Sequence, residues 1–106
     1  MKTIITFKTE KAKEILKEQE AYETKERQAY KSLNLFKKMA LKKLNPPLYA
    51  YLKDTTATFT NNTHTIEQKK NLMQDEKEAF IFNFSQDLEK QNLIYDVDYS
   101  IIFEED

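Results

Sequence analysis

The chain predicts an α+β two-layer sandwich, and three observations point there. Helical periodicity runs from Thr9 to Asn45, a second helical pattern centres on Phe80 to Leu88, and short β-branched or aromatic segments lie before, between and after them. A length of 106 residues suits one domain spanning 1-106, large enough for a modest core.

Thr3 to Lys8 (TIITFK) reads as a first strand, because β-branched and aromatic side chains suit a pleated surface. Thr9 before Glu10 is an N-cap signal: the hydroxyl can accept an orphan amide, and the carboxylate favours the positive helix end. Ala12, Ile15, Leu16, Tyr22, Ala29 and Leu33, then Phe36, Ala40 and Leu44, follow at steps of three and four. Arg27, Lys31, Lys38 and Lys42 form a basic row on the other side. Gln19, Glu23 and Glu26 interrupt the apolar stripe, so its middle is expected to stay wet. At about 1.5 Å per residue one unbroken helix would exceed ~50 Å, more than a small sheet can cover. The first helix is therefore expected to be unusually long and projecting, or broken near Ser32 to Asn34, where Ser and Asn can cap. Pro46-Pro47 stops it.

Leu48 to Lys53 (LYAYLK) and Thr56 to Thr60 (TATFT) alternate and predict a hairpin around Asp54-Thr55, with Tyr49 and Tyr51 on one face. Asn61 to Thr65 (NNTHT) reads as a loop. Asp75-x-x-Glu78 resembles a capping box for a helix through Phe80, Ile81, Phe84 and Leu88, with an earlier turn from Ile66 to Met73 joining it. Tyr95, Val97, Tyr99, Ile101 and Phe103 alternate with Asp96, Asp98, Ser100, Ile102 and Glu104, a mostly polar set, and predict the last strand. The order β-α-β-β-α-β resembles a split βαβ or ferredoxin-like sandwich, a likeness of element order and not of residues.

Composition restricts function more sharply than fold. The chain has no glycine, which works against phosphate-cradling loops, dinucleotide fingerprints and nucleophile elbows, all of which need positive φ or close backbone approach. Without cysteine there is no disulfide framework or thiolate chemistry. No window has the apolar length of a bilayer span, and the first residues lack that of a signal peptide, so a cytoplasmic location is expected. The preference for Lys, Asn, Ile, Phe and Tyr over Arg, Gly, Ala and Pro is the bias of AT-rich genomes, common in mobile elements.

Charge is nearly balanced overall and uneven along the chain. Residues 25 to 53 carry eight basic groups against Glu26 alone, whereas twelve acidic groups from Asp54 onward face four lysines. Two candidate surfaces follow. Arg27, Lys31, Lys38 and Lys42, with Tyr49 and Tyr51 as stacking platforms, could track a phosphate backbone, with weak sequence preference because there is a single arginine. Asp75, Glu76, Glu78, Asp96, Asp98 and Glu104 could dock on a basic partner. Asp96 and Asp98 share a predicted strand face without a third metal ligand at a recognisable spacing, and His64 lies in a polar loop without a triad partner. No catalytic residue, metal, cofactor or small-molecule substrate is indicated.

The expected function is therefore non-enzymatic: binding of another macromolecule, foremost a protein, in the manner of small inhibitor, immunity or antitoxin proteins of mobile elements. The long helix or the acidic C-terminal half would be the surface, and a homodimer is expected. Nucleic-acid binding through the basic row is the alternative.

Overall fold

The computed structural model describes residues 1–106 and runs β1 (Lys2–Phe7), α1 (Glu10–Ser32), α2 (Leu35–Leu44), α3 (Pro46–Asp54), β2 (Thr55–Phe59), β3 (Thr63–Gln68), α4 (Gln74–Glu89) and β4 (Tyr99–Glu104). The strands form one antiparallel sheet in the order β2-β3-β1-β4. Alternation along β1 sends Thr3, Ile5 and Phe7 inward, opposite Ile66 and His64 on one neighbour and Phe103, Ile101 and Tyr99 on the other. Helices cover that side only: Leu16 and Ala12 of α1 and Leu88 of α4 close the core over Ile5, Phe7, Tyr99 and Ile101. Phe80 and Phe84 of α4 meet Phe103 and Tyr99 edge-on at 6.1 and 6.2 Å. The two-layer α+β sandwich expected from the sequence is thus present, with the interleaved strand order of a split βαβ unit.

Two left-handed turns are made without glycine. Asn92 (φ 63°) and Asp96 (φ 64°) adopt that region, the residue types other than glycine that tolerate it best. Asn92 turns the chain so that the Leu93 amide returns to the Leu88 carbonyl at 3.0 Å, closing α4.

The first helical stretch is broken. Leu33 leaves the helix in an extended conformation, and the Asn34 side chain accepts the Lys37 amide at 2.8 Å, starting α2 on a new axis. Four local readings need correction. Leu48 to Lys53 is helical, because Asn45 caps Leu48 and Pro46-Pro47 occupy the first turn, where the missing amide hydrogens cost nothing. The prolines end one helix and begin the next. The hairpin accordingly moves along the chain to β2 and β3, taking in residues read as a loop and as a helical turn. The helix α4 starts earlier than Asp75, with Glu76 accepting the Met73 amide at 3.0 Å. Finally, Tyr95 to Asp98 is a tight turn and not strand: the Asp98 amide bonds to the Ile94 carbonyl at 2.8 Å, and β4 begins only at Tyr99.

Ile5→Ala, at a fully buried position, is expected to cost about 2–5 kcal/mol, and Asn34→Ala about 1 kcal/mol. Urea unfolding measures both. A core substitution as mild as the cap substitution would overturn the assignment of Ile5 to the centre of the sheet.

Candidate functional site

Glu23 sits on the apolar stripe of α1, four residues before Arg27, and is only 8% exposed. An unpaired carboxylate there would be costly, and the fold surrounds it with donors. Arg27 Nη2 lies 3.3 Å from Oε1, His64 Nε2 of β3 lies 2.9 Å from Oε2, and the Tyr51 hydroxyl of α3 donates to Oε1. Arg27 then reaches the end of α3, donating to the Thr55 carbonyl at 2.8 Å and the Thr55 hydroxyl at 2.9 Å. The His64 ring stacks on Phe59 at 4.2 Å, and its Nδ1 has no partner within the chain.

Burial pushes the Glu23 pKa up, but the contacts from His64 and Tyr51 and the positive charge of Arg27 outweigh it, leaving the carboxyl below its ordinary value. Burial, then the Glu23 carboxylate, raises the Tyr51 hydroxyl well above the usual tyrosine range. In the middle of α1, expected to be wet, Tyr22, Thr24 and Lys25 are exposed, but Glu23 is buried and gathers this polar cluster. His64, expected in a loop, is buried within the sheet. Arg27 and Thr55 border a surface concavity of about 340 Å³, and the cluster joins α1, α3, β2 and β3.

The expected basic row and its tyrosines are brought together, but on one another. Arg27 lies over the Tyr51 ring at 4.8 Å, Lys38 over Tyr30 at 4.8 Å and Lys42 over Tyr49 at 5.8 Å. Tyr49 and Tyr51 do not share a face, because two residues on a helix are about 200° apart. Tyr49 meets Tyr30 of α1 and Lys42 of α2, and Tyr51 meets Glu23. Lys31 remains exposed.

The acidic candidates divide as well. Asp98 accepts the Ile94 amide and the Thr9 hydroxyl, both at 2.8 Å, and these bonds hold its carboxyl below the usual range. Asp96 lies in the left-handed turn, so the two do not share a strand face, and no group of three ligating side chains gathers around them. Glu76 caps α4, Glu104 faces Lys2 across the sheet, and Asp75 and Glu78 stand on the exposed side of α4.

What these contacts leave free is α2. None of its residues is buried. Leu35 is 77% exposed, Phe36 83%, Met39 47% and Leu44 86%. Helical spacing puts Leu35 and Met39 beside Phe36 and Ala40, with Lys43 among them, while Lys38 and Leu41 turn toward α1 and α3. Phe36, Met39, Ala40, Lys42 and Lys43 border a shallow concavity of about 510 Å³. Phe36, Ala40 and Leu44 read as core positions from spacing alone, and Leu35 and Met39 stood outside that stripe. Only the change of axis at Asn34 shows that this side has nothing to pack on.

No helix is long and apolar enough to cross a membrane. No protein family, curated protein or solved structure matches the chain.

Removing the shared acceptor with Glu23→Leu is expected to destabilise the fold by about 3–5 kcal/mol, because Arg27 and His64 then stay buried beside an apolar group. Acid sensitivity gives an independent check. Folding holds the Glu23 pKa below its ordinary 4.5, so its ionised form contributes fully above that value and the contribution is lost as pH falls through the lower native value. The difference in unfolding free energy between wild type and Glu23→Gln is accordingly largest near neutral pH and narrows in strong acid. An unchanged difference across that range would exclude Glu23 as the buried anion.

Proposed function

We propose that this chain works by binding another protein, without catalysis, in the manner of small cytoplasmic inhibitor, immunity or antitoxin proteins, and that α2 is the binding element. The observation that carries the reading is the exposed apolar side of α2. Four large side chains in ten residues stand in water, although the helix is capped, held on α3 and anchored by two lysine–tyrosine contacts. Apolar area of this kind is buried by partners more often than it is left wet.

Lys43 in the middle of that side favours a protein groove over a lipid surface. A protein can present a carboxylate to it, whereas in lipid the ammonium must be drawn back to the interface. The partner sought is therefore apolar with acidic groups near the contact. The lysines that nucleic-acid binding would recruit are partly committed to tyrosine rings, so that alternative rests mainly on Lys31, Lys37 and Lys43.

Phe36→Asp and Met39→Asp are expected to abolish capture of the partner from the source cell while leaving the melting temperature within a few degrees, since both side chains face solvent. Retained capture would exclude α2. Retention on immobilised duplex or single-stranded DNA at low salt, lost in Lys31→Glu/Lys43→Glu and steeply reduced by added salt, would establish nucleic-acid binding instead.

A further inference from the structure

We infer that α2 docks on the outer side of α4 of a second copy of this chain, so that molecules associate head to tail. The inference rests on α2 being a protein-docking element and names the occupant. The outer side of α4 is the electrostatic complement of α2. Phe82 is 62% exposed there, and Glu78 and Glu89 flank it at helical spacing. Together with Ile81, Gln86 and Tyr95 they border a concavity of about 410 Å³. On α2 a cation lies among apolar side chains, and on α4 an aromatic ring lies among carboxylates.

Neither set of charges is neutralised within the chain, although Lys42 lies over the Tyr49 ring and Glu78 accepts from Gln74 Nε2 at 3.3 Å. Lys37, Lys42 and Lys43 form no internal ion pair, nor do Glu78 and Glu89. A two-fold contact of α2 with α2 is disfavoured, because that helix has four lysines and no acid, so its own copy presents like charge. Docking within one molecule is excluded by placement. The helix α2 rests on α3 beside the edge strand β2, whereas α4 packs over β4 at the opposite edge. A heterologous contact between opposite flanks repeats from molecule to molecule. One ten-residue helix makes a contact smaller than a standard interface, so association is weak and sensitive to salt.

Sedimentation velocity across protein concentration tests this. Wild type is expected to grow in mass with concentration at low salt and to return to monomer at high salt. Lys43→Glu alone, and Glu78→Lys/Glu89→Lys alone, are expected to stay monomeric with unchanged dichroism and melting. Mixed in equal amounts, the two variants are expected to associate again, because an intact α2 then meets an intact α4 and the reversed charges of the other two ends also attract each other. If a charge reversal disturbs folding, Phe36→Ser and Phe82→Ser replace the pair in the same mixing design. A monomeric mixture, or a wild type that stops at a dimer, overturns the inference. A monomeric wild type whose photo-crosslinker in place of Phe36 captures a different acidic protein overturns self-association and leaves the docking role of α2 standing. A crosslinker that captures nothing overturns both.

Discussion

The placement of α3 and of the edge strand β2 against α1 and the sheet depends on one buried carboxylate. Glu23 is covered by α3 and the sheet, and donors from α1, α3 and β3 converge on it. Because an uncompensated charge at that depth is so unfavourable, these groups cannot drift apart independently. Arg27 extends the constraint to Thr55, where α3 ends and β2 begins. The joint thereby fixes where the edge strand starts and at what angle the α2–α3 pair leaves the sandwich.

That angle determines which charges remain available. Tyr30, Tyr49 and Tyr51 each lie under a cation from another helix or another turn, so the aromatic residues that looked like platforms for a ligand hold the arm together. Their reward is modest individually, roughly 0.5–2 kcal/mol each. Collectively they keep the inner side of α2 engaged and turn its other side to solvent. An arm held by polar and cation–π contacts can leave apolar groups exposed, because its stability does not rely on burying them.

Much of the fold was legible because its causes are local. Thr9 and Asn34 cap helices through their own side chains, and Phe80, Phe84 and Leu88 recur at helical spacing. Leu48 to Lys53 was misleading because Leu48, Tyr51 and Leu52 fit a helix as well as the alternating residues fit a strand. The Asn-Pro-Pro ahead of them was the stronger signal. The β3 segment was obscured by polarity: only His64 and Ile66 face inward, and His64 is acceptable there only because Glu23, forty-one positions earlier, meets it.

By itself, then, the amino-acid sequence determined the α+β class, the core strands β1 and β4 from Tyr99 onward and the approximate positions of α1 and α4, and it left open whether the first helix breaks near Asn34 or projects unbroken. Each follows from periodicity, capping or steric limits acting over a few residues. Tertiary structure alone decided that Glu23 is buried, that the basic row is divided among tyrosines, and that the apolar side of α2 faces water. Those outcomes depend on which distant surfaces meet, and a side chain's burial or charge pairing is a property of the meeting and not of the segment that carries it.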